Sequence, residues 1–227
     1  MVKDDARILE QIRQVEEEIE STMWSCRNKE DYQAEIRAYQ EVKEKLEGYK
    51  KLPENIEKER DRVLSYCLMR LDEALSNSGE NANAIERAIY ALEVAKRSKD
   101  AVQIARCHLA LGIRLLNRGK ISEAEKNWRY VFKLAEKRKE DNDMRQVLGW
   151  TLFAQAHVVN SKSLYNQAYE LLLRAREILA DIENYAGLAA IYKLLAQVCS
   201  SLGHDEEAEI SRKLAAEYDA KASSQYQ

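Results

Sequence analysis

A chain of 227 residues with 45% hydrophobic and 33% charged residues is long enough to bury a core, and its formal charge of -3 sets up no strong field over the whole molecule. Seven Gly and a single Pro among abundant Ala, Leu, Glu, Lys and Arg give the composition of nearly continuous helix. Four widely spaced cysteines (Cys26, Cys67, Cys107, Cys199) without a CxxC exclude a disulfide framework, and no apolar run approaches the roughly 18 residues of a membrane span. With the non-secretory opening MVKDDARILE and no Asn-X-Ser/Thr sequon, the expectation is a cytoplasmic protein with reduced thiols and no membrane partner.

The first predicted helix runs from about Lys3 to Ser25, with Ile8, Ile12, Val15 and Ile19 stepping by four, three and four in a seam of the coiled-coil kind. Arg27-Asn28-Lys29-Glu30-Asp31 breaks that pattern, and a second helix carries Ile36, Tyr39, Val42, Leu46 and Tyr49 on one face. So short a turn implies an antiparallel hairpin over residues 1–52; the alternative is a coiled-coil arm that pairs two chains. Pro53 fits the first turn of a helix but not its interior, and marks the joint between this hairpin and the third helix.

From residue 53 to 222 the helices arrive in pairs: 54–77 with 82–97, 101–117 with 121–139, 144–160 with 164–181, and 185–202 with 205–221. Residues 223–227 read as a frayed tail, and no segment alternates with period two, so no strand is expected. Near the start of each returning helix stands a small residue, Ala84, Ala124, Ala168 or Ala208, at spacings of 40, 44 and 40. Twelve residues before each stands Asp72, Gly112, Ala156 or Ala196. Small residues facing each other at a crossing permit close antiparallel packing, and such a period signals a solenoid.

At these positions the chain resembles the tetratricopeptide repeat family. Leu111-Gly112, Leu115, Gly119, Ala124 and Trp128 stand where the family has Leu-Gly, Tyr, turn Gly, Ala and an aromatic; Leu195-Ala196, Gly203 and Ala208 match in the last unit. The third unit keeps Ala156, Ala168 and Ala175, and the first keeps Leu71, Ala84 and Ala91. The family period is about 34, so these units are longer by about one turn per helix, and no Pro ends them. The implied fold is an all-α, right-handed α-solenoid of antiparallel helix pairs, about ten helices in all, with the N-terminal hairpin as an arm or a degenerate repeat.

No P-loop, GxGxxG, HExxH or GxSxG occurs, and His108, His157 and His204 are dispersed, so neither catalysis, nor a metal site, nor a cofactor is expected. Cys107 and His108 are adjacent but point about 100° apart on a helix, which does not make a metal pair. The resemblance instead implies an adaptor or scaffold that holds a peptide or helix of another protein on its concave face. The stripe it implies is Tyr66, Met69 and Glu73, then Arg106, Leu109 and Ile113, then Trp150, Phe153, His157 and Asn160, then Lys193 and Gln197. Apolar anchors there suit a covered surface. The competing readings are that the register is off by one and these are core residues, or that the N-terminal hairpin fills the groove. The family's carboxylate-clamp pattern of Lys and Asn is absent.

Two other classes of function remain on the sequence. One is self-association, as a homodimer, through the seam from Ile8 to Ile19. The other is binding of nucleic acid or an acidic partner by the segment 96–145, where fourteen Lys or Arg face seven Asp or Glu. Lys126, Arg129, Lys133 and Lys137 would form its patch on the returning helix of the second pair, partly neutralised by Glu123, Glu125, Glu136 and Glu140. Interleaved charges of that kind usually mark a solvated face, which puts nucleic acid behind a protein partner.

Overall fold

The computed structural model describes residues 2–27 and 31–224, and among these it forms ten helices and no strand. They are α1 (Val2–Arg27), α2 (Tyr32–Gly48), α3 (Glu54–Asn77), α4 (Ala84–Ser98), α5 (Ala101–Asn117), α6 (Ile121–Ala135), α7 (Asn142–Ser161), α8 (Tyr165–Asp181), α9 (Tyr185–Leu202) and α10 (Asp205–Ser224). The chain divides into two compact units, residues 1–124 and 125–227, with the division inside α6.

In the first unit α1 packs on both α2 and α3, α3 on α4, and α4 on α5. Of the seam residues, Ile12, Val15 and Ile19 are each 0% exposed inside the chain and Ile8 is half-buried. Residues 28–30 of the expected break lie outside the described residues; beyond them Asp31 caps α2 by accepting from the Ala34 amide at 3.0 Å. Polar contacts fix α1 to α3. Arg62 donates to both carboxylate oxygens of Glu16 at 2.7 and 2.6 Å, a bidentate pair that raises the guanidinium pKa. Tyr66 donates to Glu20 one turn further on.

The repeat is most plainly written in the turns. Residues Gly79, Gly119, Ser163 and Gly203, again 40, 44 and 40 apart, all adopt positive φ (90°, 73°, 60° and 76°). Each is followed by an amide that reaches back five residues: Glu80 to the Leu75 carbonyl at 2.8 Å, Lys120 to Leu115 at 2.9 Å, Leu164 to Val159 at 3.0 Å and His204 to Cys199 at 2.9 Å. This is the 6→1 bond of a Schellman cap, which satisfies a carbonyl the helix leaves orphaned and turns the chain back. Outgoing helices begin with an Asx cap: Asp100 accepts from Gln103, Asp141 from Met144 and Asn184 from Gly187.

The small residues do what their spacing predicts. Ala84, Ala124, Ala168 and Ala208 are buried, as are Asp72, Gly112, Ala156 and Ala196. In the second unit α7 packs on α8, α8 on α9 and α9 on α10, around Leu152, Leu172, Leu179, Leu188, Ile191 and Leu195. Leu179 is wedged between two helices at glycines: a Cβ on Gly149 would lie 2.5 Å from its Cδ2, and one on Gly187 2.5 Å from its Cδ1.

Three expectations need correction. α6 ends at Ala135 rather than near residue 139, because the Lys137 and Arg138 amides bond i−3 carbonyls at 3.2 and 3.0 Å and Asp141 starts the next helix. α9 is, by length and composition alone, apolar enough to cross a membrane; half of it is buried, and α8 and α10 pack against it, so the core supplies the reason for its composition. Finally, Ser223 and Ser224 belong to α10, where the Ser223 hydroxyl donates to the Asp219 carbonyl at 2.9 Å, and residues 225–227 lie outside the described residues.

Candidate interaction surface

In the first unit the inner stripe is partly covered. Tyr66 is only 4% exposed, because α1 lies against that face of α3 and Glu20 takes the Tyr66 hydroxyl. Arg70 and Arg106 sit with their guanidinium carbons 5.0 and 5.7 Å from the Tyr66 ring centre, a cation–π arrangement that spends Arg106 on the protein itself. Met69, Leu109 and Ile113 are half-buried. Filling of the groove by the N-terminal hairpin is therefore realised at α3.

In the second unit α7 presents a different surface. Trp150 and Phe153 are half-buried and meet edge-to-face, with centroids 5.6 Å apart and planes at 86°; Phe153 and His157 do the same at 4.6 Å and 90°. The spacing of three and four residues puts these rings on one helical face, next to the buried Leu152 and Ala156, and Phe153 packs against the same core cluster. His157 is exposed at its outer edge, while the covered part of its ring is desolvated, which lowers its pKa. Three rings in edge-to-face contact can hold a side chain or a helix face.

Lys193 and Gln197 are exposed on α9, but Lys193 is not a free cation: its Nζ lies 2.7 Å from Asp219 Oδ2 on α10. An acidic ligand group would have to compete there with an internal carboxylate. Lys126, Arg129 and Lys133 are exposed on α6. Lys137, expected on the same helix, lies in the connection after it, so the basic patch is shorter than its sequence suggests. Among the described residues no group of three His, Cys, Asp or Glu is placed to hold a metal ion. Cys67 and Cys107 are buried and burial pushes both thiols up to about 12, which makes them core fillers rather than nucleophiles.

Beside Glu35, which is 0% exposed on α2, two further buried carboxylates lie on α3 and were not foreseen as charged crossings. Asp61 and Asp72 are 2% and 3% exposed, each between two arginines. Asp61 accepts from Arg60 and Arg97 at 3.0 Å each; Asp72 accepts from Arg87 Nε at 2.8 Å and Arg114 Nε at 2.6 Å. The same Arg87 and Arg118 donate to carbonyls of Glu80 and Asn81, tying down the α3–α4 turn. The available signal was Asp72 itself, a charged residue in a slot that holds Gly or Ala in every other unit.

No protein-family model and no curated protein matches the sequence. Solved structures do match. BtubC (BKLC) from P. vanneervenii aligns with a TM-score of 0.62 at 17% identity, over 97% of this chain and 90% of that one. Kinesin light chain TPR-like repeats from Podosopora anserina align at 0.51 and 14% identity, over 94% and 97%. The fold is that of the tetratricopeptide-like helical repeats. Aspartyl phosphate phosphatase F from Bacillus subtilis shares this TPR-like fold, with a TM-score of 0.64 at 19% identity over 88% of this chain; the chain spans 49% of that protein's length.

Proposed function

We propose that this TPR-like chain is a non-catalytic adaptor that holds a peptide or helix of another protein, and that the ladder of Trp150, Phe153 and His157 on α7 is its principal anchor. The observation that carries the reading is the ladder: three rings in edge-to-face contact along one helical face, with Phe153 packed against the core and Trp150 and His157 beside it reaching solvent. Aromatic anchors at the centre of a surface are what alanine scanning finds to dominate protein interfaces. Within the first unit we propose Met69, Leu109 and Ile113 as contacts of their own, and within the second Gln197 as a polar contact. Likeness to solved structures at this identity speaks to fold, so the phosphatase neighbour's chemistry is not carried over. We place the protein in the cytoplasm, a location compatible with its free cysteines.

The test compares proteins captured from the source lysate by the wild type and by Trp150→Ser with Phe153→Ser, with and without nuclease treatment. A partner held by the wild type and lost by the variant, with unchanged far-ultraviolet dichroism, supports the ladder. Undiminished capture by the folded variant removes it. Capture sensitive only to nuclease would transfer the function to the basic face of α6.

A further inference from the structure

We infer that a crevice between α6, α7 and α8 is a binding site for a small aliphatic α-amino acid, with the Trp128 indole N–H as its buried donor. All the residues that line it belong to the second unit. It is separate from the aromatic ladder. Gln155, which lines it from α7, stands two positions from both Phe153 and His157, about 200° round the helix. The site therefore stands or falls independently of the adaptor reading.

Two departures from the repeat meet in this crevice. The residue before the small crossing residue is a buried leucine in the other three pairs, Leu71, Leu111 and Leu195; in the third pair it is Gln155, half-buried. Four residues after the small alanine that begins each returning helix, α4 and α8 hold Ala88 and Leu172, and α6 holds Trp128. Trp128 is 0% exposed, and its Nε1–H meets no acceptor among the described residues. A buried donor without an acceptor is destabilising, and a phenylalanine would fill much of the same volume without one. The repeat thus accounts for the bulk of this side chain but not for its N–H.

The crevice holds about 210 Å³, less than the roughly 300–1,000 Å³ of drug-sized sites, so its guest is small. One wall is apolar, made by Val158 and Val159 of α7 and Leu171 of α8. Besides Trp128 and Gln155 it is lined by Glu125 and Arg129, one turn apart on α6. In α10 the matching Glu209 and Lys213 are joined at 3.8 Å, whereas neither Glu125 nor Arg129 makes an ion pair among the described residues. An arginine and a neutral N–H donor together receive a carboxylate, and a glutamate receives an ammonium. The apolar wall suits a branched aliphatic side chain between them. A carboxylate alone would face Glu125 and an amine alone would face Arg129; the zwitterion satisfies both.

The test follows the indole N–H signals of the isotope-labelled full chain by NMR as L-leucine is added to millimolar concentration. Trp128→Phe and Trp150→Ser assign the two signals of interest. The expected result is a saturable shift of the Trp128 signal with the Trp150 signal unmoved. N-acetyl-leucine, which lacks the ammonium, and isoamylamine, which lacks the carboxylate, should each bind at least about tenfold more weakly, as should leucine to Arg129→Gln. Gln155→Leu restores the leucine of the other pairs and should abolish the shift in a folded protein. Should Trp128→Phe fail to fold, calorimetry of leucine binding to the wild type, Arg129→Gln and Gln155→Leu reads the same ranking. No saturable shift of the Trp128 signal in the wild type, or a shift of the Trp150 signal alone, would overturn the inference. N-acetyl-leucine bound as tightly as leucine would overturn the zwitterionic assignment and turn the site to the C-terminal carboxylate of a chain.

Discussion

The first and third helix pairs build the same crossing from opposite materials. In the third pair it is made of Ala156, Leu171 and, from the next pair, Val198; all three belong to or border one apolar cluster. Eighty-four residues earlier the matching positions are Asp72, Arg87 and Arg114, joined by hydrogen bonds of 2.8 and 2.6 Å. The backbone pattern is the same in both, down to the Schellman bond that closes each turn. The repeat geometry therefore does not depend on an apolar crossing. It depends on the slot being filled and on every polar group in it having a partner.

The largest expected effect breaks that equivalence. Asp72→Ala leaves two guanidinium groups facing an empty slot, and Arg114 keeps only 13% side-chain exposure. Removing one member of a buried pair costs about 3–5 kcal/mol, and with Arg87 more open than Arg114 the lower end applies, about 3 kcal/mol by urea denaturation. The triple change Asp72→Ala, Arg87→Leu and Arg114→Val copies the third pair's chemistry and should restore most of that loss. A triple variant no more stable than Asp72→Ala would show that the two crossings are not interchangeable. In the apolar crossing Leu179→Ala should cost about 2–5 kcal/mol through the cavity it opens between Gly149 and Gly187. Gly149→Ala overpacks the same spot, by about 1–3 kcal/mol. Because both act on one contact, the double variant should lose less than the sum, and strict additivity would refute the wedge.

The contrast also explains what the sequence made legible. Spacings of 40, 44 and 40 located the four pairs because a small residue at a crossing is a local requirement, visible one helix at a time. Asp72 stood out as the exception, yet its partners lie 15 and 42 residues away, and on a helix wheel Arg87 and Arg114 look like ordinary surface cations. The end of α6 was hidden for a related reason. Glu136-Lys137-Arg138-Lys139-Glu140 contains only good helix formers, and the chain leaves the helix so that Asp141 can cap the next one. At the surface, the ring ladder was readable from spacing within α7. That α1 would cover Tyr66 needed the tertiary contact of Glu20, which no local pattern contains.

A smaller effect sharpens the comparison at the turns. Ser163 holds φ 60° where the other three pairs have glycine, so its Cβ bears a strain that Gly79, Gly119 and Gly203 avoid. Ser163→Gly should relieve roughly 1 kcal/mol of it and return part of that as entropy of the unfolded chain, for a net gain of about 0.5 kcal/mol. In a chain of this size that raises the melting midpoint by about 1–2 °C. Gly203→Ala should do the opposite by about 1 kcal/mol, and purely through the backbone, since nothing lies within 4 Å of the added Cβ. A Ser163→Gly protein that melts lower than the wild type would mean the serine side chain contributes something glycine cannot.

The smallest effect separates the ladder from the crossings by its pH dependence. Desolvation holds the His157 pKa below its ordinary 6.5, so over the interval between the two values the unfolded chain binds more protons than the folded one. Stability should therefore rise with pH across that interval and level off above about 6.5. On acidification it should fall until the folded form also protonates. His157→Gln removes the titrating group while keeping a polar side chain at the edge of the Phe153 ring. It should flatten the slope just below about pH 6.5 without moving stability well above it. The crossing of Asp72, Arg87 and Arg114 contains no histidine, so its triple variant should leave that slope as it is in the wild type. If His157→Gln leaves the slope intact, the ring is more open than its contact with Phe153 implies, and the ladder's lower end is a weaker anchor than Trp150 and Phe153.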